Sequence, residues 1–70
     1  MTNGALLRET IEKSGISITF IAESLNCSRN RIYAIINGAD CTATEIMKFS
    51  EVLHMSKALR DDIFLPMMVN

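Results

Sequence analysis

Side chains that can contact DNA bases recur at helical spacing in the middle of the chain. They are Arg29, Asn30, Tyr33 and Ala34. An arginine can bind guanine O6 and N7 through two hydrogen bonds, an asparagine can do the same for adenine N6 and N7, and an alanine methyl can pack on a thymine methyl. A tyrosine can reach a base edge or a phosphate oxygen. If these residues share one face of a helix, that face can contact base edges directly.

Four further polar residues are candidates for contacts to the phosphate backbone: Ser17, Thr19, Arg31 and Asn37. Ser17 and Thr19 stand at the predicted start of a helix, where free backbone N–H groups add to their hydroxyls in binding a phosphate. Arg31 and Asn37 flank the base-contacting residues, which places them better for phosphate oxygens. An alternative stays open, because a polar helix face is ordinarily solvated surface and Tyr33 can equally be a half-buried core aromatic.

The residue types that enzymes and metal sites require are scarce. Cys27 and Cys41 lie too far apart for a CxxC motif, and there is no second pair of cysteines to complete a zinc site. With His54 as the only histidine, no His/Cys or Ser/His/Asp set can form. We therefore expect a protein that is not an enzyme and that needs no metal and no cofactor.

Length and composition favour one small globular domain spanning residues 1–70. The 49% of hydrophobic residues, the 21% of charged residues and the single proline are typical of a folded chain. No apolar run approaches the roughly 20 residues that cross a bilayer, and the start lacks the layout of a signal peptide, so we expect a cytoplasmic protein without a membrane segment. The net charge of −1 is not basic, but residues 24–39 contain two arginines and no acid.

Apolar residues recur at steps of three and four in five segments, each typical of an amphipathic helix. The predicted helices run from about Asn3 to Ser14, from Ile18 to Leu25 and from Arg29 to Asn37, and two more follow Thr42 and Ser56. Ser17 and Ser28 are predicted N-caps. Thr42 and Glu45 have the spacing of a capping box, and the fifth helix is expected to end before Pro66.

The link between the second and third predicted helices is very short. It comprises Asn26, Cys27 and Ser28, and so short a turn forces the two helices to cross steeply, as in a helix-turn-helix motif. Asn26 is expected in the left-handed backbone region, which asparagine tolerates better than most residues, and Cys27 is expected to point into the core. Gly15 and Gly38 stand where helix C′ glycines are found.

These patterns predict an all-α fold of five helices with a helix-turn-helix over residues 17–38. The predicted core consists of the inward apolar residues of the five helices, namely Leu7, Ile11, Ile21, Ala22, Leu25, Ile32, Ile35, Ile46, Phe49, Leu53 and Ile63. Within the apolar C-terminal tail, residues 64–70, the stretch from Phe64 to Val69 is expected to help form a self-association surface, because its side chains would otherwise face water. The spacing of the fifth helix also allows Phe64 to face inward beside Ile63.

Across most of its length the chain resembles the lambda-repressor and Cro-like helix-turn-helix domains of phage and bacterial transcription regulators. The resemblance rests on Ile16-Ser17, Ile21-Ala22-Glu23-Ser24-Leu25, Cys27-Ser28-Arg29, Ile32, Ile35 and Asn37-Gly38, followed by two further helices. Asp61-Asp62-Ile63-Phe64 also resembles the end of small regulators from mobile elements. The resemblance implies a compact lambda-repressor-like domain that inserts its third helix into the major groove, with Asn37 as a phosphate contact.

The chain departs from this family at three positions. Ile18 stands where the family usually has a glutamine that anchors a phosphate, Asn26 replaces the usual turn glycine, and Phe20 occupies a site that is more often polar. Of these, the first removes a phosphate contact and the third suits contact with another protein chain.

The predicted function is a sequence-specific DNA-binding transcriptional regulator of the Cro or repressor type, derived from a phage or mobile element. Its partner is double-stranded DNA, and it is expected to act as a homodimer, because two recognition helices about 34 Å apart span one DNA turn. The alternative is a helix-turn-helix module that binds a second regulatory protein, as an antirepressor or adaptor does. The negative charge, Ile18, Phe20 and the apolar tail support that alternative.

Overall fold

A computed structural model describes residues 2–65 and shows five α-helices and no strand among them. The helices are α1 (Gly4–Ser14), α2 (Ile18–Leu25), α3 (Arg29–Ile36), α4 (Ala43–Val52) and α5 (Lys57–Phe64). The prediction of an all-α fold with five helices is confirmed. Most of the predicted C-terminal tail, residues 66–70, lies outside the described residues. No helix within residues 2–65 has the length and apolar character that crossing a membrane requires.

Each of the five helices begins at a side chain that accepts a hydrogen bond from a backbone N–H of the first turn. The five N-caps are Asn3, Ser17, Ser28, Thr42 and Ser56. The predicted capping box is present, since the Thr42 hydroxyl accepts from the Glu45 N–H at 3.1 Å and the Glu45 carboxylate accepts from the Thr42 N–H at 2.9 Å. These caps satisfy backbone donors that helix geometry leaves unpaired.

Residues with a positive φ follow four of the helices and set the direction of the chain after them. Gly15 ends α1 with a φ of 74°, and Gly38 follows α3 with a φ of 105°. Asn26 adopts the predicted left-handed conformation, with a φ of 57°, and the next N–H, that of Cys27, donates to the Ala22 carbonyl at 2.9 Å. The turn between α2 and α3 is therefore closed by the backbone itself. His54 takes the same conformation after α4, with a φ of 51°, which the sequence analysis did not predict.

The core lies where the inward faces of the five helices meet: α2 packs on α3 and α4, α1 packs on α3 and α5, and α4 packs on α5. The buried apolar residues are Leu7, Ile11, Ile21, Ala22, Ile32, Ile35, Cys41, Phe49, Leu53, Ile63 and Phe64. Of the predicted core, Leu25 and Ile46 are only partly buried and pack against this cluster. Cys27 is likewise partly buried beside it.

Phe64 is a correction to the predicted tail surface. Its side chain is 2% exposed, and its ring lies 5.8 Å from that of Phe49, centroid to centroid. The last turn of α5 packs this ring on α4, so Phe64 belongs to the core and cannot contribute to a self-association surface. Leu65, the next residue, is exposed.

The residues before α1 are held by two other parts of the fold. The Thr2 hydroxyl donates to the Ala39 carbonyl at 2.8 Å, and the Asn3 N–H donates to the Ile63 carbonyl at 2.8 Å. Thr2 is buried. The start of the chain thus connects the loop after α3 to the end of α5.

Gly4, the first residue of α1, approaches the backbone at the end of α3 very closely. A β-carbon at this position would overlap the carbonyl oxygen of Ile36. Only glycine allows two backbones to come this near. The approach fixes how α1 crosses α3, and with it the placement of the α3 side chains that face outward.

Candidate nucleic-acid interface

The two sides of α3 differ sharply. Ile32 and Ile35 are fully buried on its inner side. The opposite side is exposed and carries Arg29, Asn30, Tyr33, Ala34 and Asn37. The four residues predicted to contact bases therefore share one solvent-exposed surface, with Asn37 at its end as the C-cap. Because the inner residues are β-branched and tightly packed, the helix holds these side chains on a rigid support.

The start of α2 places two of the predicted phosphate contacts, Ser17 and Thr19, at the surface. The Ser17 hydroxyl accepts a hydrogen bond from the Phe20 N–H at 3.1 Å, and its own proton is left to donate elsewhere. Thr19 is exposed in the first turn. Ile18 between them is partly buried and lines a groove together with Tyr33 of α3. This groove joins the start of α2 to the exposed face of α3.

Arg31 is turned away from that face and bonded to α4. Its Nε and Nη2 atoms each donate to a carboxylate oxygen of Glu45 at 2.9 Å, and Nη2 also donates to the Asp40 carbonyl at 2.9 Å. The same carboxylate completes the capping box with Thr42. Arg31 thus neutralises a carboxylate and ties α3 to the start of α4. The spacing of Thr42 and Glu45 predicts the capping box but not the contact with Arg31, because no spacing rule links residues on separate helices.

The ion pair and the fold perturb the pKa values of four side chains. The hydrogen bonds between Arg31 and Glu45 raise the pKa of Arg31. They also lower the pKa of Glu45, and this effect is larger than the increase that partial burial of the carboxylate causes. Burial raises the pKa of the Cys41 thiol to about 11. Burial also raises the pKa of Cys27, and the Glu45 charge adds to this. The raised pKa values hold both thiols in the uncharged form at neutral pH.

Few basic side chains in the described part of the chain lack an ion-pair partner. Within residues 2–65, the basic side chains without a carboxylate at ion-pair distance are Arg29 and Lys57, because Arg8, Lys13, Arg31, Lys48 and Arg60 each have one. Arg29 is exposed at the first position of α3, and Lys57 begins α5. The exposed face of α3 therefore combines one unpaired positive charge with amide, phenol and methyl groups.

Two aromatic side chains of the helix pair α2 and α3 are exposed to solvent. Phe20 of α2 is 53% exposed and Tyr33 of α3 is 49% exposed. Tyr33 is therefore half-buried, as the alternative interpretation has it. Its ring borders the groove beside Ile18, and the other half of the side chain is accessible to solvent. Within residues 2–65, no three His, Cys, Asp or Glu side chains converge as a metal ion would require.

Comparisons of the chain with models of known protein families, with characterised proteins and with solved structures find no match.

Proposed function

We propose that this chain is a sequence-specific DNA-binding regulator in which α2 and α3 form a lambda-repressor-like helix-turn-helix and α3 acts as the recognition helix. The observation that carries the proposal is the two-sided character of α3, with Ile32 and Ile35 fully buried and hydrogen-bonding side chains exposed on the other side. A helix of this kind fits the major groove, where each base pair presents a distinct pattern of donors and acceptors.

In this proposal the exposed residues divide into two groups. Arg29, Asn30, Tyr33 and Ala34 contact base edges. Ser17, Thr19 and Asn37 contact phosphates on either side of the groove. Arg31 was a fourth candidate for phosphate contact, but its guanidinium is held by Glu45, so we assign it to positioning α3 relative to α4.

A single recognition helix of eight residues buries little surface, and tight specific binding takes about 1,000 Å² or more of protein surface. We therefore propose that the protein binds as a homodimer with two half-sites one DNA turn apart. It represses or activates by occupying an operator and requires no cofactor.

Selection from a pool of random duplex DNA tests the proposal directly. The wild-type chain should enrich a defined sequence, and Arg29→Ala should weaken binding to that sequence by about 1–3 kcal/mol and relax the choice of base at one position. Lys57→Ala is the matched control, because it also removes one unpaired, exposed positive charge but lies on α5. No enrichment, or equal losses for the two variants on selected and scrambled DNA, would contradict sequence-specific binding.

A second candidate is a module that binds another regulatory protein through exposed aromatic side chains of α2 and α3. The exposed Phe20 of α2 favours it, and so does the exposed face of α3, on which Arg29 is the one cation without an ion pair among the described residues, because protein interfaces use aromatic anchors and little net charge. Phe20→Ala separates the two functions. It should abolish capture of a protein partner in the adaptor case, whereas in the DNA-binding case it should leave binding to the selected DNA unchanged.

A further inference from the structure

A shallow groove of about 180 Å³ runs beside the recognition helix and brings α1 to the same edge of the molecule. Its lining consists of Ile11, Ile18, Ile36, Arg8, Glu12 and Tyr33. The isoleucines provide an apolar floor, and the other three side chains provide polar groups. Because Tyr33 also belongs to the exposed face of α3, the groove extends that face toward Arg8. The cationic side chain of Arg8 thus lies beside the start of α2, where the Ile18 side chain has no polar atom.

Arg8 is free to bind a ligand from solvent. Its side chain is 70% exposed, and its ion-pair partner is Glu12, one turn along α1, with 3.8 Å between Nε and Oε2. Glu12 is equally exposed, at 71%. An exposed pair of this length contributes little to stability, because water solvates both charges well. The guanidinium can therefore exchange this carboxylate for a better partner at small cost.

We infer that Arg8 binds a backbone phosphate of DNA at the α2 edge of the interface. It supplies there a phosphate contact that the apolar Ile18 side chain cannot make. The inference rests on the proposed DNA-binding function. A guanidinium matches a phosphate through two parallel hydrogen bonds and keeps its charge at any physiological pH. The Glu12 carboxylate has the opposite effect, since it competes for Arg8 and repels the phosphate. Arg8 and Glu12 therefore tune DNA affinity in opposite directions.

The same helix contains a matched pair that faces elsewhere. Lys13 and Glu9 are also exposed and also one turn apart, with 3.0 Å between Nζ and Oε2. They line a different groove, which α1 shares with Leu53 and Leu59. Substitutions in this pair change the net charge as much as substitutions in the first pair, but at a distance from the recognition helix.

The test is a titration of random-sequence duplex DNA with the wild type, with Arg29→Ala and with four variants of the two α1 pairs over a range of salt concentrations. Arg8→Ala should weaken binding by about eightfold at roughly 0.1 M salt and make the salt dependence shallower by about 0.9, the values for one lost phosphate contact. Glu12→Gln should strengthen binding at low salt and lose this advantage at high salt. Lys13→Ala and Glu9→Gln should leave both the affinity and the slope close to the wild-type values.

Three outcomes would overturn the inference. If Arg8→Ala and Lys13→Ala weaken binding equally, only the net charge matters. If Arg29→Ala weakens binding while Arg8→Ala does not, DNA binding stands without the Arg8 contact. If the wild type binds neither random nor selected DNA, the inference falls together with the proposed function. All four substitutions are on exposed side chains, so unchanged melting temperatures confirm that affinity alone is being compared.

Discussion

The ion pair between Arg31 and Glu45 should be the strongest charge interaction in the described part of the molecule. Two hydrogen bonds of 2.9 Å join the side chains, which are 35% and 15% exposed, and a third joins Arg31 to the Asp40 carbonyl. A hydrogen bond to a charged group contributes about 1.5–3 kcal/mol when protected from water, and exposed ion pairs contribute less than about 1 kcal/mol. Since this pair is partly exposed, we expect Arg31→Ala to lower the free energy of unfolding by about 2 kcal/mol.

A double-mutant cycle isolates the contribution of the pair itself. Glu45→Gln is the suitable second change, because its amide oxygen can still accept the Thr42 N–H of the capping box while the charge is lost. We expect a coupling energy of about 1–2 kcal/mol from urea unfolding. The loss for Arg31→Ala corresponds to a fall of about 8–16 °C in Tm for a domain of this size. The exposed pair Lys48 and Glu51, at 3.8 Å, serves as control and should show coupling below about 0.5 kcal/mol.

The contribution of Glu45 should depend on pH in a defined direction. The hydrogen bonds from Arg31 lower the pKa of the folded carboxylate below the value of about 4.3 that an unfolded glutamate has. The stabilisation is therefore complete above that pH and is lost as the pH falls through the folded pKa. The difference in unfolding free energy between the wild type and Glu45→Gln should shrink accordingly in acid. The raised pKa of Arg31 affects stability only at strongly alkaline pH.

Either of two results would refute this reasoning. A coupling energy no larger than that of the control pair would show that solvent screens the contact fully. A shallower salt dependence of DNA binding for Arg31→Ala, measured well below its Tm, would show that Arg31 leaves Glu45 to bind a phosphate. In that case our assignment of Arg31 to positioning α3 is wrong, and the original expectation of a phosphate contact is right.

Three further predictions concern stability and reactivity. Gly4→Ala should lower the free energy of unfolding in urea by about 3 kcal/mol, because the new β-carbon meets a backbone carbonyl. Gly15→Ala, in open space at a φ of 74°, should lower it by only about 1 kcal/mol, and equal losses would contradict the close approach. Ile35→Ala should cost about 2–5 kcal/mol by leaving a cavity, and an unchanged Tm would mean that the inner face of α3 is misplaced. Cys41, buried and with its pKa raised to about 11, should be alkylated more slowly than the partly buried Cys27 at pH 8 in the native protein, and comparable native rates would count against its burial.

Local sequence patterns are sufficient to predict where the helices lie, which residues cap them and which residues form most of the core. Ser17, Ser28 and Thr42 cap helices through contacts only a few residues long, and Asn26 turns the chain through its own backbone preference. Apolar spacing placed Ile32 and Ile35 on the buried side of α3 for the same reason, since the period of a helix is local. These features need no knowledge of how the helices pack.

Tertiary packing determines which polar groups remain available to a ligand and where the helices contact one another. The Arg31 guanidinium is bonded to Glu45, which is 14 residues away on another helix. Phe64 packs on the ring of Phe49 and not on the predicted surface. Arg8 lies near Tyr33 of α3 because both side chains line a groove that α1, α2 and α3 share. Such contacts depend on the crossing of helices that are distant in sequence, which is set by the packing of the whole core and, at Gly4, by the close approach of two backbones.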